Sequence, residues 1–126
     1  MPGTHGMLAS MYVHTPAVVT HAVEDEVFVV RVSGSLDHDS APLLEEACAL
    51  AKDSGAPRTV LDLSLADFAD STVLHVLLTA QRAHDRQERE LILAGPFHDV
   101  IRRLFDVTGT DAYFTLADNV PSALEG

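Results

Sequence analysis

The tripeptide Asp70-Ser71-Thr72 places a carboxylate and two hydroxyls in consecutive positions of the 126-residue chain. It follows a strand-like apolar pattern and precedes helical spacing, which predicts a helix start. Backbone N–H groups at a helix start lack intrahelical partners and favour an oxygen acceptor or an anion. Two compatible interpretations therefore stay open. In the first, Ser71 caps the helix. In the second, which does not exclude the first, the exposed Ser71 hydroxyl accepts a phosphate that the helix dipole stabilises.

Other groups that could do chemistry lack the spacing that a catalytic or metal site requires. The seven histidines form neither an H-E-x-x-H nor a paired Cys/His pattern, so we expect solvated histidines. Residues 108–110 lack the lysine of a phosphate-binding loop, and no G-x-S-x-G elbow surrounds Ser71. Asp62, Asp67 and Asp70 carry the carboxylate ligands that Mg²⁺ prefers. The simpler interpretation is that these three side chains lie on loops and face water. We expect no enzyme activity, no catalytic residue, no metal and no cofactor.

The elements that must position Asp70 and its neighbours are predicted from apolar periodicity. The predicted strands are Ala17–Val23, Val27–Val32, Thr59–Leu63, Leu91–Ala94 and Tyr113–Leu116. The predicted helices start at Asp39 or Ser40, at Val73, at Phe97 and near Pro121. Gly55 is predicted to end the first helix, and Gly109, in a left-handed conformation, the third. An acidic turn, Glu24 to Glu26, joins the first two strands as a hairpin. The order β-β-α-β-α-β-α-β-α predicts an α/β fold with a mixed, mostly parallel sheet of about five strands and about four helices.

The composition predicts one soluble domain over residues 17–126 after a flexible arm over residues 1–16. No apolar run is long enough for a membrane helix, and the first positive side chain is Arg31, so we expect a cytoplasmic chain without a secretory signal. The single cysteine, Cys48, excludes an internal disulfide and is expected to be a small buried thiol.

The net charge of −11 restricts the kinds of partner. Only 8 Lys and Arg oppose 19 Asp and Glu, a balance that repels phosphate backbones. We therefore expect no direct contact with nucleic acid and a protein partner with a basic patch. The chain itself is expected to be a monomer or a weak dimer.

Several motifs together resemble a known family. V-L-D-L-S at residues 60–64, F-A-D-S-T at 68–72, L-I-L-A-G at 91–95 and V-I-R-R-L-F-D-V-T-G at 100–109 look like a STAS domain of the bacterial anti-sigma factor antagonist type. In that family the motif reads roughly D-S-[ST]-G-L, and a kinase-type anti-sigma factor phosphorylates its serine. The matching residue is Ser71. Val73 replaces the family glycine, and His75 replaces a second small residue.

The resemblance implies further partner-binding residues. Gly34-Ser35-Leu36-Asp37 is similar to a family G-E-L-D, so Asp37 is a candidate for contact with the partner, although a plain turn-and-cap role is an equal alternative. Asp70, Ser71 and Thr72 form the proposed switch. Helical geometry, and not the family motif, adds a further surface: His75, Thr79, Arg82 and Arg86 follow Ser71 at steps of three or four and predict one polar stripe on the helix, with Val73, Leu74, Leu77 and Ala80 opposite. The stripe is either part of the partner interface or the solvated face that every amphipathic helix has.

The resemblance therefore predicts an anti-sigma factor antagonist that regulates sigma-dependent transcription. Its unmodified form would bind an anti-sigma factor that is also a serine kinase, and phosphorylated Ser71 would release it. ATP and Mg²⁺ would belong to the kinase. The alternative is a STAS module that binds a ligand, or serves as a scaffold in a sensory complex, without being switched by such a kinase.

Overall fold

The computed structural model describes residues 16–125, in which a β-hairpin is followed by alternating helices and strands. The strands are β1 (Val18–Glu24), β2 (Val27–Leu36), β3 (Arg58–Ala69), β4 (Glu90–Ala94) and β5 (Thr115–Ala117). The helices are α1 (Ala41–Ser54), α2 (Ser71–Arg86), α3 (Asp99–Thr108) and α4 (Val120–Glu125), with a 3₁₀ turn at Thr110–Tyr113. The predicted arm lies outside the described residues except for Pro16.

The five strands form one sheet in the order β1-β2-β3-β4-β5. β1 pairs with β2 antiparallel, whereas the β2–β3, β3–β4 and β4–β5 pairs are parallel. The predicted mixed, mostly parallel sheet and the predicted order of elements are confirmed. Among the described residues, no helix combines the length and the apolar character needed to cross a membrane.

The hairpin turn between β1 and β2 is shorter than predicted. Glu24 is the last residue of β1 and pairs with Val27, which leaves only Asp25 and Glu26 in the turn. Both have positive φ, 50° and 67°. A two-residue turn with positive φ at both positions matches the twist of the flanking strands, so this geometry favours a tight hairpin over a three-residue loop.

β3 extends six residues beyond the predicted end at Leu63 and reaches Ala69. Polar residues interrupt the apolar pattern after Leu63, but Ala66 and Ala69 are buried and the pairing with β2 continues to the end of the strand. The register shifts twice along this pairing, which explains why a simple alternation does not extend so far. Only Asp70 separates β3 from α2.

The two faces of the sheet are covered differently. α1, α2 and α3 pack on one face through the larger apolar cluster, which includes Leu44, Leu77 and Phe105. α4 packs on the other face through Ala123, against the cluster that contains Val60 and Ile92. Three helices on one face follow from three successive parallel crossovers of the same hand.

The predicted helix ends are confirmed at two glycines. Gly55 after α1 and Gly109 after α3 have φ of 74° and 67°, a left-handed conformation that is unfavourable for residues other than glycine. The last strand was predicted two residues too early, because Tyr113 belongs to the 3₁₀ turn. Asn119 Oδ1 accepts a hydrogen bond from Ser122 N at the start of α4, close to the helix start predicted near Pro121.

Candidate functional site: a helix start at the carboxyl edge of the sheet

Asp37 and Asp70 follow neighbouring strands at the same edge of the sheet. Leu36 at the end of β2 is the register partner of Ala69 at the end of β3, and these two strands are parallel. The next residue of each chain segment is an aspartate. The two segments therefore meet at the carboxyl edge of the sheet, the edge at which open α/β folds bind their ligands.

Asp70, and not Ser71, caps α2. Asp70 Oδ1 accepts hydrogen bonds from Thr72 N at 3.0 Å and from Val73 N at 3.1 Å. Asp70 keeps an extended backbone with ψ of −177°, as an N-cap residue does, whereas Ser71 is already helical. The interpretation of Ser71 as the cap is therefore wrong.

The Ser71 hydroxyl is consequently left unengaged. Ser71 is exposed, and its side chain makes no hydrogen bond within residues 16–125. Thr72 beside it is also exposed. A hydroxyl at the first turn of a helix, free of the capping role, is available to an approaching protein.

A hydrogen bond fixes the ends of β2 and β3 beside this helix start. Ser35 Oγ donates to Asp67 Oδ1 at 2.8 Å, and Ser35 is 4% exposed. Asp67 is exposed, as expected, but the expected loop position is wrong, because Asp67 belongs to β3. The pair spans 32 positions in sequence. No short-range pattern could have revealed it.

Asp37 organises the turn before α1. Its Oδ1 accepts hydrogen bonds from Asp39 N at 3.1 Å, from Ser40 N at 3.0 Å and from Ser40 Oγ at 3.0 Å. These donors, the Ser40 backbone foremost, hold the pKa of Asp37 below its ordinary value. Ser40 is the N-cap position of α1, as predicted, but its own side chain makes no cap hydrogen bond. The turn-and-cap role of Asp37 is confirmed, and its contact with a partner stays a prediction.

The remaining aspartate of the proposed acidic group is also on a strand. Asp62 lies on β3, with 13% of its side chain exposed, and accepts from Ser64 N at 3.0 Å and Ser64 Oγ at 2.6 Å. It also lies 4.0 Å from Arg31 Nε. For Asp62 both parts of the expectation are wrong, because this carboxylate lies on a strand and faces protein more than water. Among residues 16–125, no three His, Cys, Asp or Glu side chains gather closely enough to hold a metal ion.

The predicted two-sided character of α2 is confirmed. Ser71, His75, Thr79, Arg82 and Arg86 are all exposed. The four opposite residues are buried: Val73, Leu74, Leu77 and Ala80. We call the exposed set the α2 stripe. Its role in binding a partner stays a prediction.

His84 is the residue that sequence reasoning misjudged most. It was expected to be solvated but is 1% exposed, between α2 and β3. Its position on the helix indicates why, because it follows Ala80 by one turn on the buried face. Helical spacing alone could therefore have identified His84 as a core residue.

Comparison with known proteins identifies the family. The STAS domain family model matches residues 19–123, most of the chain. The chain belongs to the STAS family. The anti-sigma-B factor antagonist of Staphylococcus aureus is 31% identical over 86 residues, which cover 68% of this chain and 79% of that protein. The Staphylococcus epidermidis protein of the same name is 31% identical over 91 residues, 72% of this chain and 81% of its own length.

Solved structures agree with this STAS assignment. An anti-sigma factor antagonist from Mycobacterium paratuberculosis superposes with a TM-score of 0.77 at 28% identity, covering 87% of this chain and 92% of that one. The phosphorylated form of the Bacillus cell fate determinant SpoIIAA shares the fold, with a TM-score of 0.66 at 20% identity and coverage of 86% and 97%. The homologues of this STAS domain are thus anti-sigma factor antagonists.

Proposed function

We propose that this STAS domain is an anti-sigma factor antagonist that binds a kinase-type anti-sigma factor and is switched off by phosphorylation of Ser71. The observation that carries the proposal is the free, exposed hydroxyl of Ser71 directly after the cap residue Asp70. The chain acts as protein substrate and not as enzyme, and binding would free a sigma factor in the cytoplasm.

The residues at the site determine which groups this chain and the kinase each contribute to phosphoryl transfer. The kinase supplies ATP, Mg²⁺ and the base that takes the serine proton. Ser71 Oγ attacks the γ-phosphorus, the bond to the bridging oxygen breaks, and ADP leaves. Because Asp70 holds the first turn of α2 in place, the hydroxyl is presented on a rigid element before the kinase arrives.

The phosphate changes the charge of the interface. Phosphorylation adds about −1.5 to −2 charges at neutral pH. The new charge would stand beside Asp70 and near Asp67 and Asp37, on a chain whose net charge is already −11. Repulsion from a partner surface and the cost of desolvating the phosphate both favour release.

The Ser71→Ala variant is first used to capture the cognate kinase. The test is then whether this kinase phosphorylates the purified wild-type chain. Mass spectrometry is expected to place one phosphate on Ser71. Ser71→Ala should bind the kinase and resist modification, and Ser71→Glu should bind more weakly. Thr72→Ala is the matched control, because Thr72 is also an exposed hydroxyl in the same turn. Phosphate on Thr72 alone, or none under conditions where the kinase modifies another antagonist, would refute the switch and favour a ligand-binding or scaffold module.

A further inference from the structure

A groove with a cavity volume of about 220 Å³ lies between α1 and α2. The α1 residues that line it recur at steps of three or four and form one ridge that faces α2. They are Glu45, Cys48, Ala49 and Lys52. On α2 the lining residues are Val76, Thr79, Ala80, Ala83, His84 and Arg86. Four of the ten are alanine or valine, which is why two neighbouring helices leave space between them.

The deep part of the groove suits hydrocarbon. Both ring nitrogens of His84 already have partners, in Ala80 O and Thr59 Oγ1. Burial, with a smaller effect of Glu45, raises the pKa of the Cys48 thiol to about 12, so this side chain is uncharged at neutral pH. An apolar cavity of about 150 Å³ accommodates benzene. The groove is therefore large enough for a short alkyl chain or a single substituted ring.

One end of the groove is positively charged. α1 and α2 run parallel, because each connects parallel strands on the same face of the sheet, so Lys52 and Arg86 lie at the same end. Neither side chain forms a hydrogen bond or an ion pair with any residue in the described range 16–125. Arg89 lies at this end as well and donates to Ala51 O and Lys52 O, which removes exposed carbonyls that would repel an anion.

The other end of the groove carries the opposite charge. Glu45 precedes Lys52 by seven residues, which is about 10 Å along the helix axis. A ligand with a negative group at Lys52 is attracted there, and an uncharged tail toward Glu45 avoids repulsion at the other end. We propose that the α1–α2 groove binds a small monocarboxylate with an apolar body, its carboxylate placed between Lys52 and Arg86.

The proposal is tested with octanoate and the purified chain alone, so it does not depend on the kinase. Amide shifts in two-dimensional NMR should change at α1 and α2 on titration and saturate in the millimolar range, about the affinity of a small fragment. Octan-1-ol lacks the charge and should bind more weakly. Octanedioate should also bind more weakly, because its second carboxylate meets Glu45, and Glu45→Gln should reduce that difference.

Variants locate the site. Lys52→Gln and Arg86→Gln should each weaken octanoate binding by about two- to fivefold, the range of an exposed ion pair. Ala49→Leu fills the groove from an exposed position and should abolish binding without disturbing the core. Arg102→Gln on α3 is the charge-matched control and should change nothing. No shift at α1 and α2 up to about 10 mM octanoate, equal binding of octan-1-ol, or unchanged binding in Ala49→Leu would each overturn the proposal.

Discussion

The imidazole of His84 and the hydroxyl of Thr59 lie 2.8 Å apart, both fully enclosed between α2 and β3. His84 Nδ1 lies 2.8 Å from Ala80 O, which can only accept, so Nδ1 carries the ring proton. Nε2 is then the acceptor, and the Thr59 hydroxyl donates to it. This arrangement requires a neutral ring, and burial accordingly lowers the pKa of His84.

A first prediction is that stability decreases below neutral pH because of His84. In the unfolded chain a histidine has a pKa of about 6.5, whereas the pKa of His84 in the folded chain is lower. Between the two values the unfolded state binds the proton and the folded state does not. The free energy of unfolding should therefore be unaffected by this group above pH ~6.5 and fall as the pH drops below it. Urea unfolding at several pH values between about 5 and 8 measures this slope.

Variants separate His84 from the exposed histidines. His84→Gln should remove most of the slope, and His75→Gln, at an exposed position of the same helix, is the matched control. Thr59→Val should cost about 1–3 kcal/mol at neutral pH, since it leaves Nε2 buried without a donor. An identical slope in the wild type and in His84→Gln would contradict the assignment.

A second prediction distinguishes Asp70 from Ser71 by stability alone. Asp70→Ala should lower the free energy of unfolding by ~1 kcal/mol, because Thr72 N and Val73 N lose their acceptor. Ser71→Ala should stay within about ±0.5 kcal/mol, because its hydroxyl holds nothing in the described structure. Denaturant melts of both variants provide the comparison. A larger loss in Ser71→Ala would restore the serine as the cap.

The edge around Ser71 shows which features short-range patterns could predict. β4 was predicted almost to the residue, because Leu91 to Ala94 is one continuous apolar run. The second half of β3 was missed, since Ser64 and Asp67 interrupt its pattern and only pairing with β2 keeps it extended. The cap of α2 is Asp70 and not Ser71, and the helix begins at Ser71, two residues before the predicted start at Val73. Helix boundaries are the quantity that sequence patterns define least well.

Contacts between distant residues account for the other differences. Ser35 meets Asp67 across 32 positions, and His84 meets Thr59 across 25. Each partner in isolation is a common polar residue with no distinctive spacing. Their roles depend on the register of β2 against β3 and on the packing of α2 on the sheet, which tertiary structure alone determines.

A third prediction concerns the reactivity of Cys48. Its pKa of about 12 leaves very little thiolate at pH 8, and thiolate is the form that attacks a disulfide reagent. The folded chain should therefore react with a chromogenic disulfide far more slowly than glutathione does. The urea-unfolded chain is the matched control and should react at a rate similar to that of glutathione. A fast reaction of the folded chain would show that the thiol is neither buried nor protonated.

A fourth prediction concerns the mechanism of the proposed switch. A phosphate at the start of a helix is favourable to that helix, so modification of Ser71 should change the charge of the surface without unfolding α2. Amide hydrogen exchange of the free and phosphorylated chains should differ only in the first turn, around Asp70 to Val73. Loss of protection further along α2 would point to refolding instead of local electrostatics.

The last prediction assigns the α2 stripe to the partner interface. Arg82 and Arg86 are two of only eight positive side chains, and both stand on the exposed side of the helix that begins at the proposed switch. Arg82 forms no ion pair with any residue in the described range, so its charge is available to a partner. A solvated face without function is the alternative, because every amphipathic helix has one.

Two charge changes on the stripe decide between these alternatives. Arg82→Glu and His75→Asp should each weaken binding to the cognate kinase by about fivefold or more, equivalent to ~1 kcal/mol. Their thermal stability should barely change, since exposed substitutions usually stay within about ±0.5 kcal/mol. Arg103→Glu on α3 makes the same charge change on another exposed helix position and serves as the control for net charge. If calorimetry finds unchanged affinity in both stripe variants, the interface is confined to the edge around Ser71. If Arg103→Glu weakens binding equally, the effect belongs to the overall charge and not to the stripe.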